Sequence, residues 1–526
     1  MKKYSKITIF ILLFLIVSVF YPLVAMLAQV HWSEFGSVLL SSAFKEALTN
    51  SFVVTLVSTI LSVGIAYLLA YTLNRTNIKR RAVLKVLLTL PMLIPSVSHG
   101  VGLINLFGVN GIITKFIDIN IIGSTGIVLG SILYSFPVAF LMLCDGFNYI
   151  DNNMYETAKV LNLNKWQTFK VVTLTYLKKP LLSAIFAVFT MIFTDYGVPL
   201  TVGGQFTTLP VFLYKEVIGL LDFSTGTIIG LVLLIPAFVS FLFDTISKDY
   251  TNGNFEGRDF YAKKNKVRDF FCTLFTYIVI LFILVVIGSF VYYAFVDNVR
   301  LNPVFSLKHF EYVFNNDILK YIFNSLFISI LVAVVGTVIS YFTAYSTARS
   351  ESKAKNVIHI LAISSLAIPG IVLGLAYTIS FNGSFIYNTF IILIMANIVH
   401  FMASPYLMAY NALNKVNKNY EIVAKTCNIS KFRIIKDVII PSTKATIREM
   451  LAYFFVNSMI TISAITFLFN SETMPLSLLI NNYEGNMLLG EAAIVSLIIL
   501  FFNGIVKLVI YLINRREDHK KYEVRV

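Results

Sequence analysis

Long apolar runs alternate with short polar segments along the 526-residue chain. A helix needs about 20 apolar residues in succession to cross a bilayer. Stretches of that length predict an all-α integral membrane protein with twelve spanning helices. The predicted spans lie at 7–29, 50–74, 84–107, 122–148, 180–202, 224–243, 270–295, 321–347, 357–381, 386–412, 449–470 and 490–514. The apolar run of the first exceeds that of a typical signal peptide, so we expect a retained helix.

Lysine and arginine are distributed unevenly among the polar segments. With a cytoplasmic N-terminus, the segments on the cytoplasmic side hold 36 of these residues and the outer segments hold 6. Cytoplasmic loops are enriched in positive residues, so both termini are predicted to be cytoplasmic. The net charge of +15 then follows from membrane topology, and nucleic-acid binding is not expected. The lipid bilayer is the expected surrounding.

The second part of the chain repeats the first. Asn50 is matched by Asn324, and Pro95 by Pro369, at one and the same offset along the chain. Each repeat contains six predicted spans, and an even number gives both the same orientation. The repeat therefore predicts two parallel membrane halves in tandem. The predicted units are a first half at 1–245, a cytoplasmic linker at 246–268 and a second half at 269–526.

A polar fragment recurs on the predicted cytoplasmic side, at 155–172 and 420–437. Each copy begins with a short helical pattern that is followed by an asparagine, Asn162 or Asn428. Asparagine is second only to glycine as the left-handed residue that ends a helix. In the first copy Asn164 then begins a capping-box pattern, which predicts a second helix. An amphipathic helix on the membrane surface is the alternative interpretation, but it does not explain why the same turn occurs twice.

This fragment resembles the EAA loop of permease subunits in binding-protein-dependent ABC importers. The first copy carries Glu156 and Ala158 of the pattern, and an asparagine replaces its glycine in both copies. In the second copy the acidic residue, Glu421, stands one position early. The resemblance implies that both loops dock on ATPase subunits. The residues to which it assigns docking are Glu156, Ala158, Asn162, Trp166, Glu421, Ala424, Asn428 and Phe432.

The same resemblance implies the type I fold and a defined set of partners. These are two copies of an ATPase and an extracytoplasmic solute-binding protein, in a bacterial cytoplasmic membrane. The chain contains no phosphate-binding P-loop pattern, so ATP is expected on the ATPase subunit. No cofactor, resident metal or catalytic residue is expected in this chain. The stretches 194–204, 366–377 and 463–470 resemble the branch that transports ferric iron, thiamine and 2-aminoethylphosphonate.

Several residues inside the predicted spans are candidates for the translocation path. Asp195 is an ionisable side chain within an apolar span, where such a group usually faces a cavity or a partner. A structural hydrogen bond to a neighbouring helix is the alternative. Helix-breaking residues at membrane depth occur where backbone is packed in protein or lines a cavity. The candidates are Asp195, Gly197, Pro199, Pro95, His99, Pro369 and Tyr377.

Two other functional classes fit the span count. A twelve-span secondary transporter usually carries several acidic residues in the membrane for ion coupling, whereas Asp195 is the clear deep candidate here. An integral-membrane enzyme needs a cluster of catalytic side chains at a membrane face, and the sequence presents none. An ABC importer permease is therefore the preferred interpretation, with iron or a phosphonate as the expected cargo.

Overall fold

The computed structural model describes residues 6–523 except 118, 120, 149, 249–261, 263, 298, 300–301 and 350–353. The described chain is predominantly helical, and its strands, β1 (Val296–Asp297) and β2 (Val304–Phe305), form one short antiparallel pair. This agrees with the predicted all-α membrane class. The predicted linker at 246–268 lies largely outside the described residues.

The helices of the first half include both short segments and long spans. They are α1 (Lys6–Leu15), α2 (Tyr21–Ala28), α3 (Trp32–Leu40), α4 (Ser42–Arg75), α5 (Arg81–Leu88), α6 (Ser96–Phe107), α7 (Ser124–Asn148), α8 (Asn152–Val160), α9 (Lys165–Thr168), α10 (Thr175–Phe193), α11 (Gly197–Val202), α12 (Leu209–Tyr214) and α13 (Phe223–Lys248).

The second half follows a similar order. Its helices are α14 (Lys266–Phe295), α15 (Lys308–Asn315), α16 (Ile318–Ala348), α17 (Lys355–Ser364), α18 (Gly370–Phe381), α19 (Phe390–Phe401), α20 (Ala403–Lys415), α21 (Asn419–Thr426), α22 (Lys431–Ile434), α23 (Ile440–Ser442), α24 (Lys444–Ile460), α25 (Leu476–Gly485) and α26 (Leu489–Glu523). Turns of π-helix occupy Ile16–Phe20, Phe169–Leu174, Lys215–Gly219 and Ile435–Ile439, and 3-10 turns occupy Leu90–Leu93 and Ser365–Ala367.

Ten of the twelve predicted spans correspond to helices of membrane-spanning length or to bent helix pairs. Eight are continuous, and the pairs α17–α18 and α19–α20 are bent by 113° and 55°. The window at 84–107 is divided into shorter helices, and in the window at 449–470 α24 ends at Ile460 with no helix in the remainder, so neither forms a continuous span. In the first window the chain is extended at Ile94, before Pro95, because a residue that precedes proline disfavours the helical region.

The predicted fifth span at 180–202 is wrong in its bounds. The helix begins well before residue 180, in a continuous run from Lys165 to Phe193. It stops at Phe193, and α11 starts again at Gly197. Apolar composition alone did not reveal the break, because the hydrophobic run continues through it. The same interruption recurs in the second half, where α24 ends at Ile460.

The first long helix of each half packs against the other half. In the N-terminal segment, the Ser18 carbonyl accepts a hydrogen bond from Tyr377 of α18 at 2.7 Å. Reciprocally, α14 packs on α4 and α6, and the Tyr293 hydroxyl donates to the Asn110 carbonyl at 3.0 Å. Each repeat therefore packs its first long helix against the other repeat.

The repeated Asn-Ser pair has the same structural purpose in both halves. Ser51 in α4 accepts a hydrogen bond from the Leu209 backbone at 2.7 Å. Its counterpart Ser325 in α16 accepts one from Leu476, also at 2.7 Å. The neighbouring asparagines donate to backbone carbonyls of the same two loops. The two serine bonds satisfy the first amides of α12 and α25, which have no partner within their own helices.

Candidate functional site: two repeated loops and an axial cavity

Both copies of the polar fragment adopt the predicted helix, turn and helix. Asn162 and Asn428 have positive φ angles of 54° and 53°. In the first copy the Leu163 amide donates to the Ala158 carbonyl at 3.0 Å, and in the second the Ile429 amide donates to Ala424 at 2.8 Å. This pattern is the Schellman motif. The asparagines therefore take the conformation for which the family pattern uses glycine.

The helix that follows each turn is capped by a side chain. Asn164 and Gln167 form a complete capping box, with both hydrogen bonds at 2.9 Å. In the second copy Ser430 accepts a bond from the Arg433 amide at 3.3 Å. These caps fix the direction in which α9 and α22 leave the turn.

An aromatic side chain stands at the same exposed position of both loops. Trp166 and Phe432 occupy equivalent places in the two copies of the repeated fragment. Their exposed fractions are 70% and 75%. Ala158 and Ala424, on the opposite side of the motif, are buried. Each loop thus packs through its alanine and presents its aromatic ring outwards.

An arginine at the end of a long helix holds each loop. Neither arginine was predicted from the sequence as a site residue. Arg75 ends α4, and Arg349 follows α16 by one residue. Arg75 donates to the Phe147 carbonyl at 2.9 Å and lies 5.5 Å from the centre of the Tyr155 ring. The two arginines are separated by the same offset that relates Asn50 to Asn324, which is the signal that identifies them as a pair.

The second arginine binds its loop through charge. Arg349 donates to the Val416 carbonyl at 2.8 Å, and its Nε lies 3.4 Å from Glu421 Oε1. The displaced glutamate of the second loop therefore stands at the position that Tyr155 occupies in the first copy of the fragment. Glu156 is exposed instead, and it accepts a bond from Asn152. Glu156 and Glu421 thus differ in role as well as in register.

The left-handed turn gives a testable prediction. We expect Asn162→Gly and Asn428→Gly to preserve each loop, whereas valine at either position should cost about 1–2 kcal/mol, because a β-branched residue resists positive φ. Hydrogen exchange of the Leu163 and Ile429 amides measures the loss directly. Thr157→Val, in the right-handed part of α8, is the control for valine itself. Equal protection in the valine and glycine variants would contradict the prediction.

A cavity of about 70 Å³ lies between the two halves, where α10 and α24 are interrupted. The first half contributes Ser96, Tyr134 and Asp195 to its wall. Facing them, the second half contributes His400, Asn457 and Thr461, together with four neighbouring residues. Of the predicted path residues, Asp195 is the one that lines this cavity.

The cavity residues form pairs that the repeat relates. Tyr134 corresponds to His400, and Asp195 corresponds to Thr461, at the offset that also relates the two copies of the polar fragment. All four line the cavity. A cavity lined by both members of two repeat-related pairs lies on the pseudo-twofold axis of the two halves. Tyr134 was not predicted as a site residue, although the offset connects it with His400.

Asp195 is held in place by backbone donors from the helix that follows. The Val198 amide donates to Oδ2 at 3.0 Å and the Gly197 amide to Oδ1 at 3.3 Å. Thus the carboxylate caps the N-terminus of α11, where negative charge is favoured. The structure combines both interpretations of the residue, since Asp195 makes structural hydrogen bonds and also lines the cavity.

The other predicted path residues lie around this site or away from it. His99 packs its ring 6.0 Å from Tyr134, and its Nδ1 lies 3.1 Å from the Pro95 carbonyl. Pro95 and Pro369 are the caps that begin α6 and α18. Tyr377 lies in the packing of the N-terminal segment and is not among the residues that line the cavity.

Two further candidates, Gly197 and Pro199, lie in α11. A Cβ atom at Gly197 would come within 2.3 Å of the Ser96 hydroxyl, so α11 touches the start of α6. Pro199 is buried inside α11. Neither residue is among those that line the cavity, and contact with a solute remains a prediction for each. Within the described residues, no group of three or more His, Cys, Asp or Glu side chains could hold a metal ion.

Comparisons with known proteins agree with this architecture. Residues 62–252 and 336–519 each match the family described as "Binding-protein-dependent transport system inner membrane component". A putative ferric transport system permease protein of Haemophilus influenzae is 25% identical over 492 residues, which cover 88% of this chain and 77% of the relative. A ferric transport system permease protein of Actinobacillus pleuropneumoniae is 25% identical over 83% of this chain and 68% of its own.

A third relative is named for a different transported solute. The thiamine transport system permease protein of Haemophilus influenzae is 26% identical over 200 residues, which cover 36% of this chain and 37% of the relative. The ferric and thiamine relatives confirm the predicted branch. None of the comparisons supports a secondary transporter.

Proposed function

Because the chain belongs to the family of binding-protein-dependent transport system inner membrane components, we propose that it imports ferric iron with energy from two copies of a separate ATPase. It is a multi-pass inner membrane permease of an ABC importer, and both of its halves match the family. The proposal concerns its cargo, the number and docking of its ATPases, and its orientation.

The observation that carries the docking proposal is the matched geometry of the two loops. Both end their first helix in the same Schellman turn, and both expose one aromatic ring, Trp166 or Phe432. Large exposed aromatic side chains are typical anchors of protein interfaces. Two equivalent surfaces related by a pseudo-twofold axis fit a partner that is present in two copies. ATP binds to that partner, because this chain has no P-loop pattern.

The charge distribution supports the orientation. The segments on the side of the two loops hold 36 of the 42 lysine and arginine residues, and the cytoplasmic side of membrane proteins is the positive one. We therefore place the loops and both termini in the cytoplasm, and the solute-binding protein on the opposite face.

Ferric iron is proposed as the cargo from two lines of support. The relatives that cover most of this chain are named as ferric transport permeases, whereas the thiamine relative covers about a third. Asp195, the one carboxylic acid among the described residues that line the cavity, also suits a cation.

The test is co-purification of the chain with its ATPase from membranes, followed by reconstitution with the binding protein in vesicles. We expect two ATPases per chain, and ATP-dependent uptake of ⁵⁵Fe. Trp166→Glu and Phe432→Glu should each weaken ATPase capture, and the double variant should lose it, because a charge replaces the aromatic anchor. Phe385→Glu, at a 90% exposed aromatic residue in the loop between α18 and α19, is the matched control and should retain the ATPase.

Two results would overturn parts of the proposal. Full ATPase capture by the double variant would show that the loops are not the docking surface. Uptake of another solute, with none of iron, would refute the cargo and leave the docking assignment intact.

A further inference from the structure

We propose that the axial cavity is a transit site that selects a small metal cation through Asp195, Tyr134 and His400. The inference rests on the proposed function, since it names the place where the cargo crosses the interface of the two halves. It concerns side chains that neither the family match nor the names of the relatives assign.

The cavity lies on the axis that relates the two halves. Tyr134 and His400 are repeat-related, as are Asp195 and Thr461, and all four line one cavity. A route that both halves shape equally must follow their pseudo-twofold axis. The cavity also lies where α10 and α24 are interrupted, and interrupted helices at membrane depth accompany solute sites in transporters.

The charge of the cavity wall favours a cation. Asp195 is the only acid among the ten described residues that line the cavity, and none of the ten is a lysine or arginine. Each oxygen of its carboxylate accepts one backbone amide, and the Ser96 side chain also donates to this carboxylate. A carboxylate has about four lone-pair sites. Acceptor capacity thus remains for a ligand. A sulfate or phosphonate anion would meet a negative charge without a positive partner, so the wall favours cations over oxyanions.

The donor atoms on the cavity wall narrow the choice of cation. Tyr134 offers a phenol oxygen and His400 an imidazole, beside the carboxylate. Imidazole suits iron, and oxygen donors suit hard cations. The Nδ1 atom of His400 is buried and has no hydrogen-bond partner among the described residues. Such an orphaned atom is costly, and a turn of the ring that brings Nδ1 to the cavity would let a bound cation or its hydration water satisfy it.

Size and ligand number fit a cation in transit. A cavity of about 70 Å³ holds a few water molecules at most, which suits a metal ion and is too small for thiamine. The described residues here offer fewer than three His, Cys, Asp or Glu ligands. A transport site must bind strongly enough for entry and weakly enough for exit, so an incomplete ligand set is suited to the task.

Direct binding of ferric ion to the purified full-length chain in lipid nanodiscs tests the site. Iron bound to a tyrosine oxygen produces a visible charge-transfer absorption, which a purely structural role for Tyr134 would not give. We expect wild-type protein to develop this absorption, Tyr134→Phe to lose it, and Asp195→Asn to weaken binding about tenfold or more. His400→Gln should shift the band, because it replaces a nitrogen ligand.

Tyr377→Phe is the matched control, because that hydroxyl is also buried but bonds to Ser18; its band should equal that of wild type. Tyr134→Phe removes a single oxygen, so it remains informative if Asp195→Asn disturbs the N-terminus of α11. An absorption that survives Tyr134→Phe, or none in wild type, would overturn the assignment. Equal competition by sulfate or thiamine would also overturn it.

The reconstituted importer separates this inference from the proposed function. If the site is correct, Asp195→Asn should lower iron uptake while the binding protein still stimulates ATP hydrolysis. Unchanged uptake by that variant would reject the transit site and leave the cargo standing. A wild-type importer that hydrolyses ATP and carries no iron would refute both the cargo and the role of the cavity in iron transit.

Discussion

Arg349→Met is expected to release the second copy of the polar loop and, on the docking proposed for it, to abolish most of the coupling between ATP hydrolysis and transport. The arginine side chain is fully buried, and that of Glu421 is 23% exposed. Methionine keeps the length of the side chain but leaves the carboxylate without its cation and the Val416 carbonyl without its donor. Removal of one partner from a buried ion pair costs roughly 3–5 kcal/mol, and the partial exposure of Glu421 places this case at or below the lower end.

Hydrogen exchange across 417–434 measures the release of the loop, and iron uptake per ATP hydrolysed measures the loss of coupling. We expect the double variant Arg349→Met with Glu421→Met to recover much of the protection, because well-packed apolar residues often replace a buried pair without net cost. A double variant as unprotected as the single one would contradict this account of the ion pair.

The equivalent change in the first half should be milder. Arg75 donates to backbone carbonyls and lies over the Phe147 and Tyr155 rings. Arg75→Met removes those bonds, but the residue at the position of Glu421 is a tyrosine, Tyr155, so no carboxylate is left without its cation. The two halves thus use one position for the same purpose with different chemistry. Equal losses in both halves would show that charge at Glu421 is not what holds the second loop.

The local pattern of the sequence predicted the loops well, because their structure depends on neighbouring residues. Asn162 and Asn428 were identified from turn chemistry, and the Asn164 capping box from its spacing, and both are found. Arg75 and Arg349 were missed because their contacts lie far away along the chain. Only the repeat offset connects them in sequence.

The axial cavity was predicted in part. Asp195 was identified because an acid in an apolar span is unusual, and it lines the cavity. Tyr134 attracts no attention by residue type, since aromatic side chains are common in packed spans. His400 is a histidine in an apolar segment, for which the sequence predicts a packed or cavity-facing side chain rather than a metal ligand. Their importance comes from helices that meet across the pseudo-twofold axis, and hydrophobic periodicity contains no information on which helices meet. The same reason explains the bounds of the fifth span, where the break at Phe193 follows from packing of α11 on α6.

Gly100→Ala is expected to separate α6 from α11 and to disrupt the wall of the cavity. A Cβ atom at this position would lie 1.7 Å from the Thr201 hydroxyl oxygen and 2.7 Å from its Cβ. Overpacking of a close contact typically costs about 1–3 kcal/mol, because backbone must shift. Since α11 begins directly after Asp195, the shift would also displace that carboxylate. We expect a lower temperature of thermal unfolding and a loss of iron uptake.

The paired change Thr201→Gly should restore much of the unfolding temperature and of the iron uptake, because it removes the three atoms nearest to the new methyl group. The glycine itself costs about 1 kcal/mol in a helix, so the rescue should be incomplete. Gly64→Ala is the control, since nothing lies within 4 Å of its Cβ position in α4; it should be neutral or slightly stabilising. Gly374, the repeat-related counterpart of Gly100, has more room, with its nearest contact at 3.0 Å. A Gly374→Ala effect as large as that of Gly100→Ala would show that close approach to Thr201 is not the cause.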